Sequence, residues 1–422
     1  MNTLFVGIDV STKHNQSCAI NFDQHIFFNK SFINSPDGSK ALVETIVSLI
    51  DKHHFDKVIS VAESTSVYDF HICAYLLSEL ASINVDALVY SVNARTIAKY
   101  KASYIDVEKN DPSDAFICAD FARVGRTGRL IPFRGNQYMA LRRLTRERVH
   151  LSQNLSREKN YCLNNVYLKM SGLLSLPAKD RPFCDNFSAT NIEFLTEFRS
   201  PYDFCDLSLN EMADFLSKAS RNRLDDYQKS ADLLKKAVNA SYKLDKSSYD
   251  LITIAISASI NVIRCLESQI KALDKAIEKE MRGLYSNEYQ ILMSITGIGP
   301  VFAAGILAEI GDISYFSSEA KLARYAGLFW KENQSGDFRA EDKRSSSSCN
   351  NYLKYYITQA TQMSVYYGFD FTTPYFWDKY NETKTHKQKR ALVLTSRKMI
   401  RLIYALLRDN KLYAPVSTDT GK

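Results

Sequence analysis

No closely spaced cysteine pair occurs in this chain. Its eight cysteines (Cys18, Cys73, Cys118, Cys162, Cys184, Cys205, Cys265 and Cys349) are scattered without a CxxC motif, which argues against a zinc site or a disulfide framework and fits reduced cytosolic thiols. The seven histidines supply no ligand motif either, and the adjacent His53 and His54 read as a solvated helix end. A basic leader is missing, because MNTLFVGIDVSTKH turns polar at once. No apolar run reaches roughly 18 residues, so neither a signal peptide nor a membrane span is expected and the protein should remain in the cytoplasm. Glycine is sparse as well: 15 residues gather into no glycine-rich cluster, which leaves little room for a nucleotide-cradling site.

What is present is a globular composition. With 422 residues and 45% apolar content, the chain has enough material for two or three domains with real cores. A formal net charge of +7 leans toward a polyanionic partner without proving one. Residues 3–35 read as three short strands (TLFVGIDVS, QSCAINF, HIFFNKSF) in antiparallel succession. Helices and strands then alternate through SKALVETIVSLIDKH, KVISVAES, VYDFHICAYLLSELAS, VDALVYSV, ARTIAKYK and PSDAFICADFARVGR, completing an α/β layer near residue 128. A first strand hairpinned to two neighbours and followed by helix-linked strands is the order of an RNase H-like fold.

Four acidic residues carry the most information. Asp9 interrupts the apolar run LFVGIDV, Glu63 follows KVISVA, and Asp111 and Asp114 lie three apart in KNDPSDA, a spacing that puts both on one helix face. An apolar core tolerates such charge poorly. Their convergence makes sense if divalent cations neutralise them, since hard oxygen ligands suit Mg²⁺ or Mn²⁺. That points to phosphodiester chemistry.

From residue 137 the chain turns helical and basic, with Arg142, Arg143, Arg146, Arg148, Arg157 and Lys159 against only Glu147 and Glu158. The arginines fall off the apolar stripe of Leu141, Leu144, Val149, Leu151 and Leu155, which is compatible with a phosphate-tracking face; a merely solvated face reads equally well from charge alone. Residues 171–245 hold no motif. Residues 250–284 repeat every seven (Ile256, Ile263, Ile270, Ile277, Leu284), enough for a coiled coil formed with the 137–170 helix folded back antiparallel or between subunits; a buried helix of a larger bundle is the alternative. Next, SITGIGPVFAAGILAEIGD joins two short helices through Gly297, Ile298 and Gly299, like a helix-hairpin-helix whose free N–H groups hold a phosphate. Finally, Ser335-Gly336 sits in a polar loop ahead of Lys343 and Arg344, where an exposed hydroxyl has backbone freedom and nearby cations. Spacing alone does not raise it above the Ser345–Ser348 run.

The order GIDVSTK, AESTSVY, KNDPSDA, SITGIGP, ARYAGL, QSG and SRKMIRLIYALLRDNKLY resembles the DEDD transposases related to pilin-gene invertases, the bridge-RNA-guided recombinases, over nearly all of the chain except about 171–245. The resemblance implies a RuvC-like DEDD nuclease domain at 1–130, a helical coiled-coil region at 131–290 and a C-terminal transposase domain at 291–415. It further implies Asp9, Glu63, Asp111 and Asp114 as Mg²⁺ (or Mn²⁺) ligands and Ser335 as the nucleophile forming a 5′-phosphoserine. Target and donor double-stranded DNA, a non-coding guide RNA and a homo-dimer or tetramer follow as partners, in a bacterial cytoplasm and on the nucleoid when DNA is bound. Several positions depart from the family pattern: Ser66 and Cys349 stand for glycine, Asn110 for threonine, Thr296 for proline and Lys354 for arginine. A positive-φ turn at 349 would be strained by cysteine, and a serine within 345–348 is the alternative nucleophile. The rival functions are a RuvC-like nuclease or junction resolvase using water, and a phosphate-loop ATPase suggested by GIDVST but lacking the second loop and a glycine-rich adenosine site.

Overall fold

The computed structural model describes residues 2–105, 108, 110–183, 185–223, 226–284, 286–330, 334–335, 338–339 and 349–414. The chain divides into two compact units, Met1–Leu141 and Arg142–Lys422.

The first unit is built on one mixed sheet. Strands β1 (Thr3–Val10), β2 (His14–Ile20) and β3 (Ile26–Ile33) pair antiparallel in succession, while β4 (Lys57–Ser64) and β5 (Asp86–Asn93) add parallel on the far side of β1. The order β3-β2-β1-β4-β5 is that of an RNase H-like sheet. Helix α1 (Pro36–His53) links β3 to β4, α2 (Asp69–Ser82) links β4 to β5, and α3 (Ala94–Lys101) and α4 (Asp111–Arg123) follow. The period-2 alternation of β1 divides its side chains between two cores. Leu4, Val6 and Ile8 enter one core with Leu42, Ile46, Ile72 and Leu76 from α1 and α2. Phe5 enters the other with Val61 of β4 and Ala115, Cys118 and Ala119 of α4.

Gly7 shares the α4 face of β1. A Cβ at this position would lie 2.0 Å from the carbonyl oxygen of Ala115 and 2.2 Å from the amide nitrogen of Ala119. Backbone therefore meets backbone here, and α4 comes closer to the sheet than any side chain on residue 7 would allow.

In the second unit, α5 (Asn136–Lys169), which starts in the last residues of the first, continues along α11 (Lys246–Leu284). The pairs Arg148–Asp274, Lys159–Glu267 and Lys169–Thr253 rise in one helix as they fall in the other, so the two run antiparallel. The heptad residues Ile256, Ile263, Ile270 and Ile277 are buried. Five intervening helices, α6 to α10 (Ser171–Ser175, Ala189–Glu197, Pro201–Cys205, Leu209–Ser220 and Tyr227–Asn239), close over the ends of α5 and α11 around Phe194, Phe204, Met212, Leu216 and Ile260. Buried Lys169 satisfies its ammonium there by donating to the carbonyls of Leu195 (2.7 Å) and Phe198 (2.6 Å) and to the Thr253 hydroxyl (2.7 Å). Burial pulls its amine down to about 8.

The sequence expectation that nothing reaches membrane-crossing length needs one correction. Among the described residues, α11 is long and apolar enough by length and composition, because its threonines, serines and alanines interrupt apolar runs without adding charge. Its buried face nevertheless lies in the core just described. Helices α12 to α17 (Ser286–Met293, Pro300–Ile310, Glu319–Tyr325, Asn351–Tyr366, Thr373–Asn381 and Lys387–Asp409) complete the unit, with a two-stranded pairing of β6 (Gln334–Ser335) and β7 (Phe338–Arg339).

The close approach at Gly7 generates a prediction. Gly7→Ala forces α4 outward and should destabilise the first unit by about 1–3 kcal/mol, the usual overpacking cost, measured as a lower urea midpoint at unchanged m-value.

Candidate active site

The four sequence-predicted acids arrive from three elements. The β1–β4 register runs from Thr3↔Lys57 to Ile8↔Ala62, and one step further along it come Asp9 and Glu63, neighbours on adjacent parallel strands. Both have the parity of Gly7 and Val61 and so lie on the face that α4 covers. Helix α4 opens with Asp111 in its first position, and Asp114 follows in the first turn. Asn110 is its N-cap: the side-chain carbonyl accepts from the Ser113 amide at 2.9 Å. This is the service a threonine would render there. The helix N-terminus carries partial positive charge that favours both carboxylates.

The electrostatics record the convergence. Burial first, then the charges of Asp111 and Asp114, push the Asp9 carboxyl up to about 6. Burial, Asp9 and Asp114 push Glu63 up to about 7. The Cys118 thiol, one turn along α4 from Asp114, is raised far above its usual range by burial and by Glu63, Asp9 and Asp114. One cation opposes this field. Lys101, the last residue of α3, pairs with Asp114 and lowers both Asp9 and Glu63.

Lys101 was not singled out from the sequence, where it is one of two lysines in ARTIAKYK. Its placement depends on a neighbouring network. Tyr100, Tyr104, Arg123 (2.6 Å) and Gln24 (3.1 Å) all donate to the buried Asp120 of α4. Burial would raise the Asp120 carboxyl, but these donors hold it below its ordinary value. The network ties α3 to α4 and so carries Lys101 to Asp114.

Among the described residues, no three acidic, histidine or cysteine side chains already enclose a metal-sized space. The donor set still fits a hard divalent cation: four carboxylates, two of them, Asp9 and Glu63, held back from ionising by burial and by neighbouring charges within the set.

The predicted nucleic-acid contacts are placed as follows. Arg142 and Arg146 direct guanidinium N–H groups at Glu309 of α13, at 3.0 and 2.7 Å, and Arg146 also stacks over Tyr352 at 4.5 Å. Arg148 holds Asp274 at 2.6 Å, while Arg143 is exposed. Glu309 is wholly buried. Burial alone would raise its carboxyl, but the two arginines and Asn350, donating at 2.7 Å, hold it low. Gly297 adopts φ +94° and Gly299 caps α13 without a side-chain bond, with Pro300 in the first position. Ser335 lies in β6 opposite Phe338. Gly336, Lys343, Arg344 and Ser345–Ser348 lie outside the described residues.

Residues 6–167 match a family model for DEDD transposases of the IS110 type, described as "Transposase", and residues 289–375 match one described as "Transposase IS116/IS110/IS902 family". The chain carries both domains of the IS110/IS116 transposase family. An uncharacterized 44.8 kDa protein of insertion element IS116 from Streptomyces clavuligerus is 24% identical over 98% of this chain and 96% of its own. An uncharacterized 42 kDa protein of IS900 from Mycobacterium paratuberculosis is 26% identical over 98% of both chains. Thermus thermophilus RuvC, solved with a Holliday junction substrate, aligns over 31% of this chain and 99% of its own with 13% identity and a TM-score of 0.24. The transposase is thus an enzyme acting on DNA, of insertion-element type, and a DEDD domain implies dependence on a divalent metal.

Two predictions arise from these charges. Asp9 and Glu63 bind their protons more tightly folded, with values near 6 and 7, than unfolded, near 4. Their contribution to stability is therefore complete below about pH 4 and is lost as pH rises through 6 and 7. With chelator present, the urea midpoint should show this decline, Asp9→Asn should flatten it, and Lys101→Met should extend it to higher pH. Separately, Glu309→Ala strands two arginines and should destabilise the second unit by roughly 3–5 kcal/mol, read as a fall in thermal midpoint.

Proposed function

We propose that this transposase cuts and exchanges DNA strands through a covalent serine–phosphate intermediate, at sites chosen by a non-coding guide RNA, and does so as a homo-dimer or tetramer. The observation that carries the reading is the adjacency of Asp9 and Glu63 on β1 and β4 beneath the carboxylates of α4, with the first two carboxyls pushed up to about 6 and 7. Asp9, Glu63, Asp111 and Asp114 would hold the divalent cation, Mg²⁺ or Mn²⁺, which supplies polarisation of the scissile phosphate when bound. Lys101 tempers the repulsion among these acids by holding Asp114.

Ser335 supplies the nucleophile. Its oxygen bonds to phosphorus as the bond to the 3′ oxygen breaks; the serine gives up one proton and the departing oxygen takes one, leaving a 5′-phosphoserine and a free 3′-OH. The ester conserves the energy of the broken linkage, so the 3′-OH of another strand reverses the step without ATP. In this reading Arg143, Gly297, Gly299, Lys343 and Arg344 contact the sugar–phosphate backbone. Arg142, Arg146 and Arg148 act through the helices they brace, because their donors are committed to Glu309 and Asp274.

A nicked suicide DNA carrying the element end, incubated with the chain, Mg²⁺ and RNA transcribed from the element's flank, tests the proposal. A denaturant-resistant protein–DNA adduct is expected, with phosphate mapping by peptide mass to residue 335, and Ser335→Ala and Asp9→Asn should each abolish it. Cutting at full rate by Ser335→Ala without an adduct would establish a water nucleophile instead, and a phosphate on Ser345–Ser348 would move the nucleophile.

A further inference from the structure

We infer that α16 and the start of α17 form a stacking platform for unpaired bases, so that single-stranded nucleic acid docks on the face carrying Trp377. The inference rests on the proposed function only in taking the occupant to be a nucleic acid. Most of this surface lies beyond the matched C-terminal domain, which ends at residue 375.

Trp377 is half exposed, with 50% of its surface open. Its ring is nevertheless packed against neighbours: Phe376 and Tyr380 make T-shaped contacts with it, with centroids at 5.4 and 5.3 Å. A large indole held in one orientation with an open surface is prepared to stack, because little rotamer freedom remains to be lost when a planar group arrives.

The surrounding charge selects an anion-bearing planar group. Residues 377–390 contain five cations against two carboxylates. Glu382 is engaged by Lys379 and by Arg390, at 2.9 Å for the latter, and Asp378 lies within the field of Lys398. Lys384 and Lys389 are exposed and make no ion pair among the described residues, while the Lys387 ammonium sits over the Tyr380 ring at 5.4 Å. Tyr380, which meets Trp377, therefore carries the Lys387 ammonium over its own ring, with exposed Lys384 and Lys389 flanking Lys387 in sequence, a combination of aromatic surface and cations suited to a base and its phosphate. Paired bases hide their faces inside the duplex, so the occupant is an unpaired segment. An unpaired stretch of RNA and a displaced DNA strand share this chemistry.

Trp377 also provides its own probe. The chain has two tryptophans, Trp330 and Trp377, so full-length Trp330→Phe reports Trp377 fluorescence alone. Oligo-dT and oligo-rU of about 12 nucleotides should each quench it, while a paired duplex of the same length should not. The sugar that binds more tightly identifies the source of the strand. In the Trp330-containing chain, Trp377→Ala should weaken binding of a labelled single strand about tenfold, with Trp377→Phe retaining most of it. Replacing Lys384 and Lys389 by Gln should lower the logarithmic salt slope by about 0.7 for each phosphate no longer neutralised. No quenching by either strand, equal quenching by duplex, or unchanged affinity in both the Trp377→Ala and the double lysine variants would overturn the platform. The serine adduct assay on the unaltered chain is independent of this result: an adduct without quenching removes the platform and leaves the proposed chemistry standing, and quenching without an adduct does the reverse.

Discussion

The approach of α4 to the backbone of β1 at Gly7 is the constraint from which the acidic cluster of the first unit follows. Sheet register sets Asp9 beside Glu63, but the second pair of acids reaches them only because a helix can lie against a strand at a position without a side chain. The cost is electrostatic. Burial and then the neighbouring carboxylates raise the proton affinity of Asp9 and Glu63, and the fold meets part of that cost with a helix N-terminus and the ammonium of Lys101. Neither removes it: Asp9 and Glu63 remain raised.

The second unit handles charge in the opposite manner. Glu309 has no exposure to water, and it is stabilised by being surrounded: Arg142 and Arg146 from α5 and Asn350 from the start of α15 all donate to it. One buried carboxylate thereby joins three helices that are distant in sequence. Tyr356 adds to the same junction by donating to the Thr145 carbonyl at 2.7 Å, with its ring filling the space left by Gly305 on α13. A cluster of arginines on a helix is ambiguous between partner and scaffold until the carboxylates opposite it are known, and here Arg142, Arg146 and Arg148 have such carboxylates in Glu309 and Asp274.

That distinction explains what was legible beforehand. The sheet order could be read because alternation and helix periodicity are local, and both matched the strands and helices that form. The heptad isoleucines could be read as a buried stripe for the same reason. The four acids stood out because charge inside apolar runs is conspicuous. Lys101 did not, since nothing in ARTIAKYK distinguishes it from Lys99 until Tyr100, Tyr104 and Asp120 fix how α3 meets α4. Glu309 sat within an apolar helix as visibly as Asp9 sat within a strand, yet its arginine partners lie more than 160 residues away, and no periodicity reports such a distance.

Departures from the family pattern can be weighed in the same physical terms, by asking what backbone each position requires. Asn110 caps α4 as threonine would, so that exchange costs little. Ser66 occupies φ +65°, the left-handed region where glycine is at ease, so serine there carries strain three residues beyond Glu63. Cys349 is the informative case. A cysteine in place of glycine would be strained in a left-handed turn; beside it Gly327, at φ +69°, adopts that conformation. A Cβ on Gly327 would fall 2.4 Å from the Cys349 sulfur, so the thiol occupies the space that this glycine leaves free. The cysteine side chain thus supplies bulk at a contact where Gly327 has none.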